Sequence, residues 1–156
     1  MTHSAISKLV ELKKQHYRTE YPNMPEHTLP TPKYLDKTAN GLTKCVIDFI
    51  TLSGGMAERI SNTGRYVDGR VKYIDVLGHT REFGSGKWIK GSGTLGTADI
   101  SAVVNGKTIK IEIKIGKDRQ SEHQKKYQEM IERAGGEYWI VKNFEEFYNR
   151  FLNINN

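Results

Sequence analysis

The chain is expected to fold as a mixed α/β (α+β) domain with helices packed on a central sheet, and three features of the sequence say so. Residues 109–116 read IKIEIKIG, a strict period-2 alternation. A strand of that pattern has isoleucines on one face and Lys110, Glu112 and Lys114 on the other. Asn105-Gly106 joins it to a second strand-like run, DISAVV, and Asn-Gly between two such runs is the strongest short-range signal for a two-residue hairpin. Helix-period segments alternate with strand-like ones elsewhere, which is the order of a layered sandwich.

Taken from the N-terminus, residues 1–20 carry an amphipathic helix, with Ile6, Leu9, Val10 and Tyr17 on one stripe. It would dock on the main body or on a second copy. All four prolines fall in residues 21–33, so that stretch reads as a semi-rigid connector without a helix or central strand. The main domain is 34–156. In NGLTKCVIDFITLSGG, Leu42, Cys45, Val46, Phe49 and Ile50 follow helical spacing, and Gly54-Gly55 ends the helix. MAERI and RVKYIDVL look like strands, and residues 84–96, with five glycines, look like a mobile loop. After the hairpin come a helix over 121–134 stopped by Gly135-Gly136, the strand EYWIVK, and a last helix capped by Asn143 and carrying Phe144, Phe147, Tyr148 and Phe151.

The chain has 156 residues, enough for one domain with an appendage. No run approaches the length of a membrane span, and the N-terminal segment lacks a signal-peptide pattern. One cysteine excludes an internal disulfide and suits a reducing cytoplasm, so a cytoplasmic location is expected. The net charge of +6 favours polyanionic partners, nucleic acid above all. Zinc chemistry finds no support, because the five histidines show no ligand spacing and only Cys45 could join them. Acyl transfer lacks a Gly-x-Ser-x-Gly elbow.

A two-residue turn at Asn105-Gly106 sets the register of the hairpin: 103 faces 108, 101 faces 110, and Asp99 faces Glu112 on the charged face, with Cβ atoms about 5 Å apart. Opposed carboxylates repel, and a hard dication such as Mg²⁺ or Mn²⁺ would relieve them. A dication acidifies water, and Lys114 beside it could position that water and offset charge on a phosphate. A solvated strand face is the alternative reading. Gln124 likewise has two compatible readings: partner of Ser121 in a capping box, or a group turned to the charged face of the hairpin. Lys117, Arg119, Lys125 and Lys126 flank the start of that helix, a favourable place for phosphate, or are ordinary surface charges.

Gly96-Thr97-Ala98-Asp99, Glu112-Ile113-Lys114, Ser121-x-x-Gln124-x-x-Tyr127, Gly135-Gly136 and the YWIVK strand together resemble the PD-(D/E)xK nuclease superfamily. The nearest branch is the VRR-Nuc type of phage and bacterial replication and repair nucleases. The resemblance spans about residues 40–156. It implies a restriction-endonuclease-like αβββαβ core and a hydrolase, a Mg²⁺- or Mn²⁺-dependent deoxyribonuclease. In it Asp99 and Glu112 would bind metal, Ile113 would lend its carbonyl, Lys114 would be catalytic and Gln124 would assist. DNA would be the substrate, with junction or flap cutting by a homodimer as one version. Lys87, Lys90, Lys117, Arg119 and Lys125 would contact it. Two departures stand out. Ala98 replaces a frequent proline, and Asn40 sits where the family carries a glutamate in its first helix; Asp48 is the nearest acidic substitute. The glycine-rich segment 84–96 is also longer than usual and would touch substrate. A DNA-binding module that kept the fold without catalysis is the competing reading.

Overall fold

A computed structural model describes residues 4–61, 64–89, 91 and 93–154. The chain divides into two compact units: one combines the residues up to Ile60 with those from Gly96 onward, and the other is Ser61–Leu95. We call the first the body and the second the arm.

The body contains α1 (Ala5–Glu20), α2 (Ala39–Leu52) and β1 (Met56–Arg59). The arm follows, with β2 (Arg65–Val67), β3 (Val71–Ile74), β4 (Thr80–Phe83) and β5 (Lys87–Ile89). The body resumes with β6 (Ile100–Val104), β7 (Lys107–Ile113), α3 (Glu122–Arg133), β8 (Glu137–Val141) and α4 (Phe144–Ile154). Four strands form a mixed sheet in the order β1-β6-β7-β8. β1, β6 and β7 pair antiparallel in turn, and β8 joins β7 in parallel. A parallel neighbour needs a crossover, which α3 provides. No described helix is long and apolar enough to cross a membrane.

Each helix starts where its cap residue permits. Thr38 Oγ1 accepts from the Gly41 N–H at 3.1 Å, and Asn143 Oδ1 accepts from the Glu146 N–H at 2.8 Å. Ser121 and Gln124 form the full capping box of α3. One sheet face carries Ile100, Ala102, Val104, Ile109, Ile111, Trp139 and Val141, all buried in one core with residues of α1, α2 and α4. At its centre Phe49 meets Phe144, Phe147, Tyr148 and Phe151 edge-on, with centroids 5.1–5.9 Å apart. α3 covers the opposite face, where Tyr127 meets Tyr138 edge-on.

The hairpin register is the one expected from the Asn-Gly turn: Val104 pairs with Lys107, Val103 with Thr108, Ser101 with Lys110. Asn105 (φ 50°) and Gly106 (φ 76°) both take the left-handed conformation that a type I′ turn requires. α1 docks on its own body: Leu9 and Ala5 are buried, and the Ala5 N–H donates to Glu145 of α4. The proline segment holds a single 3₁₀ turn, Glu26–Thr28, tied back by an ion pair from Arg18 to Glu26.

Three expectations need correction. RVKYIDVL does contain a strand, β3, but it pairs only with β4 in the arm and takes no part in the central sheet. Residues 84–96 are not all loop, because β5 lies there and pairs with β2. Flanking glycines hid a three-residue strand whose partner is about twenty positions upstream. The apolar stripe of α3 is shallow: no α3 residue is buried and Met130 is exposed, because the sheet face beneath α3 is polar.

Candidate active site

Only three polar or charged residues are buried among those described: Thr43, Glu112 and Lys114. Two of them come from the Lys-Glu-Lys face of β7. Glu112 is 2% exposed and Lys114 7%. Burying an ion pair contributes little net stability, because desolvation offsets the attraction. A solvated strand face would not hide these two groups, so that reading of the charged face fails for both.

The hairpin and α3 build the site together. β6 begins just after Asp99, whose carbonyl accepts from the Ile60 N–H of the β1 end at 2.8 Å. Asp99 Oδ2 accepts from the Ile113 N–H at 2.9 Å, which fixes its carboxylate against the β7 backbone beside Glu112. Gly96, three residues earlier, has φ +79° and lies against the first turn of α3, where an added Cβ would stand 2.3 Å from the His123 carbonyl. Only glycine meets both demands, and the contact ties the approach to β6 to the α3 N-terminus.

Glu112 Oε1 lies 3.2 Å from Lys114 Nζ and accepts a short bond from Gln124 Nε2. Tyr138 Oη donates to Glu112 Oε2 at 3.3 Å. Gln124 meets both expectations at once: its Oε1 accepts from the Ser121 N–H at 2.8 Å while its amide nitrogen donates to Glu112. Lys114 Nζ bridges to Asp118 Oδ2, also at 3.2 Å.

Burial pushes the Glu112 pKa up and the charge of Asp99 adds to it; the bonds from Lys114 and Tyr138 oppose this without cancelling it. Burial alone would lower Lys114, but Asp118 and Glu112 more than offset it, and its ammonium is held more firmly than usual. The Tyr138 hydroxyl is raised by burial and then by the Glu112 charge, so it stays a donor.

Asp99 and Glu112 with the Ile113 carbonyl are hard oxygen donors, the set that suits Mg²⁺ or Mn²⁺ completed by water or phosphate oxygens. Among the described residues no third acid, histidine or cysteine joins them. A Glu112 carboxylate raised partly by its acidic neighbour is in the electrostatic condition that a dication relieves.

Asn40 does not bond either carboxylate; its Oδ1 accepts from Arg59 Nη2 at 2.9 Å. Asp48 is held by Tyr34 Oη at 2.7 Å and Lys44 Nζ at 2.6 Å, so it is no substitute. Lys117, Arg119 and Lys125 are exposed around the entrance to α3, and Lys125 pairs with Glu122 at 2.8 Å. Lys87 belongs to the arm. Lys90 lies outside the described residues. Two partners escaped the sequence reading. Asp118 follows Lys114 at i+4 and could have been found as an ion-pair candidate. Tyr138 reaches Glu112 only through the parallel β7–β8 register, Lys110 beside Tyr138 and Glu112 beside Ile140, which no turn residue encodes. Comparison with models of known protein families found no match, and comparison with curated proteins found none.

Proposed function

We propose that this chain is a divalent-metal-dependent deoxyribonuclease that hydrolyses DNA phosphodiester bonds. The observation that carries the reading is the buried Glu112–Lys114 pair with Asp99 beside it, at the open end of a hairpin whose register the turn fixes. Perturbed ionisable groups clustered in this way are a functional-site signature. The body order α2, β1, β6, β7, α3, β8 is also consistent with the restriction-endonuclease-like αβββαβ core that the sequence resembles.

In this reading Asp99, Glu112 and the Ile113 carbonyl would hold Mg²⁺ or Mn²⁺. When bound, the ion supplies Lewis acidity at a phosphate oxygen and makes water more acidic. Lys114, braced between Glu112 and Asp118, presents a firmly charged ammonium to the negative charge that develops on phosphate. Gln124 and Tyr138 orient the Glu112 carboxylate through its two oxygens and leave its remaining lone pairs for the ion. Lys117 and Arg119 add phosphate contacts that steer substrate without reading sequence.

The test is incubation of the protein with single-stranded, duplex and branched DNA plus Mn²⁺. Wild type should cut at least one substrate. Glu112→Gln and Lys114→Ala should each lose about a hundredfold or more in rate, the scale of removing one transition-state contact. Cleavage by either variant at the wild-type rate rejects the assignment. The competing reading, a DNA-binding module without catalysis, is favoured by one observation, the commitment of Asn40 to Arg59. It predicts salt-dependent binding indifferent to metal and no cleavage of any substrate.

A further inference from the structure

Lys110 stands on the polar face of β7 two residues before Glu112, as Lys114 stands two residues after it. The other lysines of this stretch are matched by acids: Lys107 by Glu137 at 3.6 Å, and Lys114 by Glu112 and Asp118, both at 3.2 Å. Lys110 differs. It is half-buried, its Nζ donates to Ser101 Oγ at 2.7 Å, and it meets no carboxylate among the described residues. An ammonium has three donors, and the bond to Ser101 uses one. The cross-strand pair therefore fixes where the charge sits without neutralising it.

The direction of the side chain decides what can reach it. In register Lys110 lies between Ser101 of β6 and Tyr138 of β8. Tyr138 is buried beneath α3, where it meets Tyr127. By bonding to Ser101, Lys110 turns away from that cover toward the β6 side of the same face. The side chains there are open: Val103 of β6 is 42% exposed, Met56 of β1 is 51% exposed, and Glu58, opposite Ser101, is exposed. The spacing then indicates the ligand. Successive positions on one face of a strand are about 7 Å apart, close to the step between consecutive phosphates of a nucleic-acid strand. Lys114, Glu112 and Lys110 set an ammonium, a carboxylate and a second ammonium in line at that step. An isolated phosphoester would need only the first two. Glu58 repels a polyanion from the β1 edge, which keeps its path along β7.

We propose that Lys110, oriented by Ser101, binds the phosphate next to the one at Glu112, so that the site takes a run of consecutive phosphates and not a lone phosphoester. This rests on the nuclease reading for the place of the reacting phosphate and deepens it by naming the contact that sets the strand along β7. Lys110 positions the strand and reads no sequence.

The test titrates the full chain, with metal chelated, against dye-labelled single-stranded and duplex oligonucleotides at a series of salt concentrations. For whichever binds, Lys110→Met should weaken binding and reduce the slope of log affinity against log salt by about one. Lys110→Arg should keep most of that slope. Lys107→Met removes the same charge from the same strand, at its turn end, and should stay near the wild-type slope. With Mn²⁺ added, Lys110→Met should raise KM for the oligonucleotide more than it lowers kcat. A role confined to holding the hairpin together would lower Tm in Lys110→Met and leave slope and KM alone, and that result overturns the proposal. So does an equal loss of slope in Lys107→Met, which reduces the effect to net charge, or binding of neither oligonucleotide. The slope lost in Lys110→Met without cleavage of any substrate by wild type defeats only the nuclease reading. Cleavage by wild type, with slope and KM of Lys110→Met within about twofold of it, defeats only this one.

Discussion

At the scale of single residues, the behaviour of Glu112 follows from its surroundings. Burial and Asp99 raise its folded pKa above the unfolded value. The folded protein therefore binds this proton more tightly. The contribution of the group to stability is complete below the unfolded pKa and is lost as pH rises through the folded one. Glu112→Gln, which keeps the shape without the charge, should raise the Tm of the metal-free protein at neutral pH. The gain should shrink as pH falls through that raised value. A Tm lowered at neutral pH, or a gain that grows in acid, would contradict this reading of the pair. Mn²⁺ should stabilise wild type and leave Glu112→Gln nearly unmoved, since a ligand stabilises only the state that binds it.

At the scale of elements, α3 matters through its first turn. Ser121 caps it, and the same box holds Gln124 against Glu112. Ser121→Ala should cost about 1 kcal/mol of stability and, by freeing Gln124, reduce cleavage further than the lost stability explains; unchanged kinetics at a lowered Tm would confine Ser121 to capping. The hairpin was the most legible element in the sequence. Asn105-Gly106 admits one turn type, and the turn then dictates the register that brings Asp99 to the Ile113 backbone. Lys114 and Gln124 could be placed on the same grounds of alternation and capping. Tyr138 could not, because a parallel strand takes its register from packing of the crossover and not from a turn. β2 and β5 were equally hidden: three residues each, flanked by glycine, they show no alternation long enough to detect. Their pairing depends on closing the intervening β3–β4 hairpin.

At the scale of the whole molecule, body and arm have separate energetics. Among the described residues, every buried core residue belongs to the body. The Ile60 N–H and the Asp99 carbonyl are bonded at 2.8 Å, so a short Gly/Ser linker can replace residues 61–95 without stretching the sheet. The shortened chain should unfold cooperatively with a Tm within about 4 °C of the full chain, and closing a shorter loop favours it slightly. A collapse in Tm would show that the arm supports the body.

Cys45 supplies the readout for that comparison. It lies on the buried face of α2, its Sγ donates to the Leu35 carbonyl at 3.8 Å, and burial above all drives its pKa to about 11. A maleimide dye thus finds neither access nor thiolate until the interior opens. Since this is the chain's lone sulfhydryl, each adduct counts one excursion of the body, and fluctuations confined to the arm leave no mark on it.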